Sequence, residues 1–543
     1  GVGLTALLSP FFFSKIKIFY SLFSDGTSVT VSLLLIKFIF TSSVILVPTT
    51  LMGATLPFLV RFLQSQELPG LILSRLYTTN TFGGVIGVLF AGFISIELFG
   101  LNQSLIIAAS LNLLVSIISL SIPATKNQKI NLKSAPLKFN STLVLSLLGF
   151  SVSGFISIAY QILWTRVLTP TMGTMIYAFS GILAFYLFGI AFGSFLYPLF
   201  RRIIPSPSFA FGSLQLGVGL SALLPTLILH KITLEPPLEL ALRLFLPTLF
   251  FGLTFPATIS LINQPQATGK TIGLSYAVNT IGAILGGYLA SFFLIPFFGS
   301  SQSIVLLSII NFLMAFIFIS IDQSSSWQKP TLLVPVSFLL LTSTYLITNK
   351  TDRLLPFATD IPILESKIQR VPYLFLEDDV ASVFAKSQSQ HNQPLLVIDG
   401  VPTTHRVSLT KYMAHLPIIL HPNPKEVLII AFGMGNTYRT SLKHHLNTTA
   451  VELVPSVPKT YRLFHTDNLL SSSLGKVIIN DGRNFAFLTH NKYDIIIIDP
   501  PPPFNTAGST VLHSKEYYQD LTKNLNSGGL VNQWIYAYSS RQD

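Results

Sequence analysis

Four short segments near the C-terminus are placed to do chemistry together: Gly433-Met434-Gly435, Glu452, Asp481-Gly482-Arg483 and Asp499-Pro500. Glycines between a strand and a helix let the backbone approach a ligand, and the helix start offers free N–H groups. An acid about twenty residues further on, at the end of the next strand, can accept both hydroxyls of a ribose. An acid after the third strand, Asp481, can receive an adenine amino group. Asp499 closes the apolar run Ile495-Ile496-Ile497-Ile498 and is followed by four prolines, which cannot continue a strand ladder. A carboxylate held there can orient an amine or take its proton. Each segment alone has a plainer explanation: a simple turn, a solvated strand-end acid, a common Asp-Gly turn, a proline-capped acidic turn. Their order is that of an adenosine-type site on a doubly wound α/β domain.

The elements that position them are legible as βαβ order. Val427–Ala431, Ala450–Val454, Lys476–Ile479 and Ile495–Ile498 read as buried strands separated by helix-length segments, which predicts a parallel sheet with helices on both faces. Ala381–Lys386 and Leu395–Ile398 read as a preceding hairpin.

The rest of the chain has another solvent. Of 543 residues, 50% are hydrophobic and only 10% charged, with mean hydropathy +0.61; soluble domains carry about 25% charge. Apolar runs near 31–60, 77–99, 103–123, 142–164, 174–200, 209–229, 240–262, 273–297 and 303–321 approach the roughly 20 residues that cross a bilayer. Residues 1–13 read as the stub of another, and 331–347 as a shorter, weaker one. Residues 1–350 hold seventeen Lys/Arg against six Asp/Glu, and 351–543 hold seventeen against sixteen. The net charge of +12 therefore sits in loops of the apolar part, as positive-inside topology requires, and not on a nucleic-acid-binding face. Lys126, Lys129, Lys133 and Lys138 mark 124–141 as cytoplasmic, with Arg201-Arg202 in agreement. The chain has no cysteine, which excludes disulfides, thiolate metal sites and a Cys nucleophile; no metal site is expected.

The apolar part repeats itself. Pro48-Thr49, Gly53, Pro57, Tyr77, Asn80-Thr81, Gly83, Gly87, Phe99-Gly100, Gln103-Ser104 and Asn112 recur 199 residues later as Pro247-Thr248, Gly252, Pro256, Tyr276, Asn279-Thr280, Gly282, Gly286, Phe298-Gly299, Gln302-Ser303 and Asn311. Gly1-Val2-Gly3-Leu4 matches Gly217-Val218-Gly219-Leu220. The expected layout is a first repeat over 1–125 that begins mid-repeat, a second over 141–325, the segment 331–347, and an α/β domain over 351–543. By that register roughly seventy-five residues precede Gly1, and the C-terminus, ending at Ser540-Arg541-Gln542-Asp543, also reads as cut. The prolines suggest kinked or broken helices, and Gly83/Gly87 and Gly282/Gly286 suggest close helix packing in lipid.

With His415-Leu416-Pro417, His421-Pro422-Asn423-Pro424-Lys425, Val451-Glu452-Leu453, Asp481-Gly482-Arg483-Asn484-Phe485, Tyr493-Asp494-Ile495, Ser514-Lys515-Glu516-Tyr517-Tyr518 and Gly528-Gly529-Leu530 in matching order, residues 373–536 resemble spermidine synthases. Ser153-Gly154, Tyr160-Gln161-Ile162-Leu163-Trp164-Thr165-Arg166 and Gln533-Trp534 extend the likeness to membrane-fused, spermidine-synthase-like proteins. The resemblance implies a site for decarboxylated S-adenosylmethionine as co-substrate, with Gly433, Gly435 and Gly482 lining it, Glu452 on the ribose and Asp481 near the adenine. It implies Asp499 as the catalytic base toward a small amine acceptor. The fold it implies is a polytopic helical membrane region, in a bacterial inner or plasma membrane, followed by a Rossmann-like domain. Departures fall on the acceptor side. Met434 and Asn436 break the family's glycine loop, which carries an acid. Thr403 and Pro502 replace a glutamine and a second acid, and Leu409-Thr410-Lys411 replaces Tyr-His-Glu. A diamine facing Lys411 without those acids would bind poorly, because a desolvated charge needs a partner. Methyl transfer from intact S-adenosylmethionine, and a transporter or membrane scaffold with a ligand-sensing α/β domain, stay open as alternatives. The α/β domain is expected to be cytoplasmic, where such cofactors occur, provided 331–347 does not cross the membrane.

Overall fold

The computed structural model describes residues 1–21, 31–62, 69–121, 140–173, 176–204, 206–228, 238, 241–262, 268–322, 328–348, 371–388, 393–404, 407–499 and 509–535. The lysines of 124–141, Pro500–Pro503 and Ser540–Asp543 lie outside them. The chain forms two compact units, one of residues 1–11, 43–168 and 177–357, the other of 12–42, 169–176 and 358–543.

Among the described residues the helical part has seven helices long and apolar enough to cross a membrane. Two of them, Leu73–Ser121 and Thr271–Ile321, contain 49 and 51 residues, about 73 Å or more if straight, over twice the hydrocarbon thickness. Each is broken by a glycine in a conformation only glycine adopts readily: Gly100 at φ 72°, ψ 175° and Gly299 at φ 74°, ψ 167°. The chain folds back there. Ser95 and Ser104 touch through their Oγ atoms at 2.8 Å, and Ser303 Oγ donates to the Leu294 carbonyl at 3.0 Å. Nine residues of straight helix would hold each pair about 13 Å apart. The paired runs 77–99/103–123 and 273–297/303–321 thus correspond to the arms of these two bent elements.

The repeat is equally plain in the backbone. π-helical turns occupy Ala91–Ser95 and Ala290–Leu294, both breaks lie at the same offset, and Ser104 and Ser303 each donate to the carbonyl of the breaking glycine. Gly282 and Gly286 pack as expected: a Cβ on either would stand 1.9 or 2.1 Å from the carbonyl oxygens of Ser151 and Phe155. The expectation does not carry to Gly83 and Gly87, which meet nothing within 4 Å. The helix that closes on the second pair, Ser141–Met172, has no first-repeat counterpart among the described residues. Segment 331–347 lies within a 21-residue helix, Gln328–Thr348, whose Val336 is buried against Phe312, Ala315 and Leu216.

The α/β part holds two sheets. The smaller is antiparallel, in the order β1(Tyr373–Glu377), β2(Ser382–Lys386), β3(Leu395–Ile398), β4(Val401–Thr404); β2 and β3 are the hairpin read from the sequence. The larger is parallel, in the order β7(Gly475–Ile479), β6(Asn447–Glu452), β5(Glu426–Ile430), β8(Tyr493–Ile498), β9(Leu525–Gln533). Successive residues alternate between its faces. Val427, Ile429, Ile495 and Ile497 pack with Tyr438, Leu442 and Tyr461, while Leu428, Ile430, Ile496 and Ile498 pack with Phe485, Tyr517 and Leu521. These side chains are removed from water on both faces, which explains the unbroken apolar runs. The sheet reverses direction of winding between β5 and β8. In open α/β sheets, ligands bind outside the carboxyl ends at that point.

Candidate active site

The carboxyl ends of β6, β5 and β8, three neighbouring strands, carry Glu452, the glycine turn and Asp499 respectively. The chain leaves β5 sharply. Ala431 (φ 73°), Gly433 (φ 53°) and Gly435 (φ 78°) all take left-handed conformations. Gly435 is the residue before the helix Asn436–Lys443, and a Cβ there would stand 2.6 Å from Tyr461 Cδ2. Conformation and packing both require glycine at that position.

Glu452 is buried, with Oε2 accepting the Phe432 N–H at 2.8 Å and Oε1 the Val454 N–H at 2.9 Å. It therefore stitches the end of β6 to the glycine turn. Burial pushes its carboxyl above the ordinary range against the pull of these N–H groups. Asp481 caps the helix Gly482–Leu488, its Oδ1 accepting from Arg483 N at 2.7 Å and Asn484 N at 3.2 Å. Gly482 begins that helix, where a Cβ would stand 2.5 Å from Ile430 Cγ2. Contact with β5 is reason enough for glycine there.

Asp499 extends β8 through its N–H to the Ile430 carbonyl (3.0 Å) and is half-buried. Its Oδ2 lies 3.5 Å from Thr437 Oγ1, which is also 3.1 Å from the Thr410 carbonyl. One hydroxyl proton serves one acceptor at a time. Burial pushes the Asp499 carboxyl up to about 6, with the Thr437 hydroxyl acting in the opposite direction. This is the range in which a carboxylate can both take and return a proton near neutrality.

Three neighbours escaped the sequence analysis. Thr437 looks like any helix-start threonine until Asp499 is placed beside it. His465, just past a short helical segment after β6, has its Nε2 3.0 Å from the Met434 carbonyl. Burial and the charges of Arg439 and Lys411 lower its pKa against the pull of that carbonyl and Asp467. Asp467 itself is taken up by Arg439 and by the Tyr461 hydroxyl at 2.7 Å. No motif spacing links residues brought together only by the sheet. Lys411 lies in the helix Val407–Leu420, next to Thr410, and makes no ion pair among the described residues. Thr403 is on β4, with Oγ1 donating to the Leu396 carbonyl at 3.2 Å.

Residues 406–534 match the family described as Spermine/spermidine synthase domain. The C-terminal region contains a spermine/spermidine synthase domain. Within and around it the chain is 36% identical over 145 residues to a polyamine aminopropyltransferase of Methanocaldococcus jannaschii, covering 25% of this chain and 49% of that protein. It is 32% identical over 174 residues to one of Thermotoga maritima, covering 31% and 54%. The chain thus spans about half the length of these two curated relatives. A third, polyamine aminopropyltransferase 1 of Streptomyces coelicolor, is 25% identical over 407 residues, covering 71% of this chain and 75% of that protein. That stretch is longer than the synthase domain and its flanks, so the likeness runs into the helical part.

Proposed function

We propose that the protein is an integral membrane aminopropyltransferase that moves an aminopropyl group from decarboxylated S-adenosylmethionine to a small amine. The supporting observation is the convergence of the glycine turn, Glu452 and Asp499 at the ends of adjacent parallel strands, with the Asp499 carboxyl at about 6. The residues fit such a donor. In this reading Gly433 and Gly435 would lie along its sulfonium tail, Glu452 would receive the ribose hydroxyls, and Asp481, whose Oδ1 caps its own helix, would receive the adenine amino group. The amine nitrogen attacks the aminopropyl carbon next to sulfur. The carbon–sulfur bond breaks, 5′-methylthioadenosine leaves, and Asp499 takes the proton lost by the amine. Release of 5′-methylthioadenosine by the full chain in detergent, with a panel of amines, tests this directly. Release from decarboxylated but not intact donor supports it; no release with any amine refutes it, and methylation with intact donor replaces it.

The apolar helices support residence in a bilayer. The helix Gln328–Thr348 is not among the seven long apolar helices; read as an interfacial segment rather than a span, it keeps the α/β part cytoplasmic, where such donors occur. A reporter fused after Asp543 that is active only outside the cell would refute that assignment.

A further inference from the structure

One buried, unpartnered donor and one partly exposed cation lie near the glycine turn. Asn436, the first residue of the helix that follows it, is 4% exposed, and its Nδ2 has no hydrogen-bond partner among the described residues. A buried amide without an acceptor costs about 1–3 kcal/mol, so its retention points to an acceptor that arrives with a ligand. The second donor is Lys411. The Thr437–Thr410 hydrogen bond of 3.1 Å ties together the chain neighbours of these two residues, Asn436 beside Thr437 and Lys411 beside Thr410. The charge of Lys411 also reaches His465, which sits on the Met434 carbonyl. The acids of the neighbourhood are engaged elsewhere: Asp467 by Arg439 and Tyr461, Glu452 by the backbone of Phe432 and Val454. Among the described residues Asp499 makes one side-chain hydrogen bond, with Thr437. Around the turn there is thus an excess of donors and positive charge over free acceptors.

We propose that Lys411 and Asn436 form a carboxylate subsite beside the glycine turn, so that one of the two substrates bound there carries a carboxylate. This rests on the transferase reading above and narrows its substrate class. On that reading the carboxylate belongs to the acceptor, as in an amino acid with a remote amine; a carboxylate on the donor, as in intact S-adenosylmethionine, would replace that reading while keeping the subsite.

Matched pairs separate the two sources. The full chain in detergent is titrated calorimetrically with S-adenosylmethionine against its decarboxylated form, and with 4-aminobutyrate against putrescine in the presence of 5′-methylthioadenosine. The carboxylate-bearing member of one pair is expected to bind about tenfold tighter, the scale of a charge-assisted contact. Lys411→Glu should abolish or reverse that preference, and Asn436→Ala should reduce it while leaving the carboxylate-free member unaffected. Affinity for 5′-methylthioadenosine, which lacks any carboxylate, should persist in both variants and shows that they are folded. Preference for the carboxylate-free member in both pairs overturns the subsite, as does a preference that neither variant changes. Failure of the wild type to bind 5′-methylthioadenosine counts against the donor site instead, and binding of no member of either pair refutes both.

Discussion

Replacing Asp499 by asparagine should make the protein more stable and inactive at once. Burial moves this carboxyl from its ordinary 3.8 to about 6, which corresponds to about 3 kcal/mol in favour of the protonated form at 1.36 kcal/mol per pKa unit. Below pH 3.8 both folded and unfolded states hold the proton and the group is neutral in stability. Between 3.8 and 6 the unfolded chain releases it while the folded chain keeps it, so stability falls as pH rises. About half of the penalty is present at pH 5 and nearly all of it above pH 7. Because Asp499 keeps some solvent contact, about 1–3 kcal/mol is the realistic range. Asparagine keeps the size and an acceptor for Thr437 but has no charge to bury. Thermal unfolding of the full chain in detergent should therefore show Asp499→Asn unfolding several degrees above wild type at pH 8, with a smaller gap at pH 5. Turnover follows the opposite sign. The base must be ionised, so wild-type activity should rise through about pH 6, and the variant should lose 10²–10⁴-fold, the scale of general base catalysis. A variant less stable than wild type at pH 8, or one that keeps its activity, would refute the assignment of Asp499 as a desolvated base.

Gly435→Ala should cost about 1–3 kcal/mol, from the left-handed backbone alone, and the collision with Tyr461 should weaken 5′-methylthioadenosine binding as well; unchanged binding by calorimetry would count against the turn as a ligand cradle. Glu452→Ala leaves the Phe432 and Val454 N–H groups buried without acceptors, a loss of roughly 2–6 kcal/mol that thermal unfolding would register, whereas Glu452→Gln should recover part of it. Gly299→Ala forces a residue with a Cβ into φ 74°, ψ 167°, a strain of about 1–3 kcal/mol; Gly100→Ala should match it in thermal unfolding if the two breaks are equivalent.

What the sequence made legible follows from where the signal was local. β5 to β8 are short apolar runs bounded by turns, and the pattern locates each within a few residues. Ala431 was counted in its strand because alanine carries no mark of the φ of 73° with which the chain leaves it. β9 was missed because Asn526, Gly528, Gly529 and Asn532 contradict strand propensity, and only its pairing with β8 makes it a strand. β4 carries Pro402 and a register shift against β3, which hid it similarly. In the helical part the repeat was visible as identities at a fixed offset, and the fold-backs as gaps between runs. The close packing of Gly83 and Gly87 was carried over from one copy to the other, but packing depends on a partner and not on the motif. Thr437, His465 and the orphaned Asn436 amide could not be read at all, because their significance lies in what the sheet brings to them.

Hydrogen bonding distinguishes the proposed base from the two other acids at the same sheet edge. Glu452 and Asp499 are both pushed upward by burial, so burial alone does not separate them. Their partners do. The oxygens of Glu452 are held by backbone N–H groups of the glycine turn and of the segment after β6, donors fixed by the fold and with no other acceptor to turn to. Freeing either oxygen to receive a proton would strand a buried N–H. Asp481 has Oδ1 committed to the first turn of its own helix. Among the described residues the Asp499 carboxyl faces one long contact with a hydroxyl, and that hydroxyl has the Thr410 carbonyl as a second acceptor. When an amine approaches, Thr437 can turn to Thr410 and release Oδ2 without leaving any group unpaired. On the proposed reading, the fold holds two carboxyls for positioning and leaves the third to move a proton.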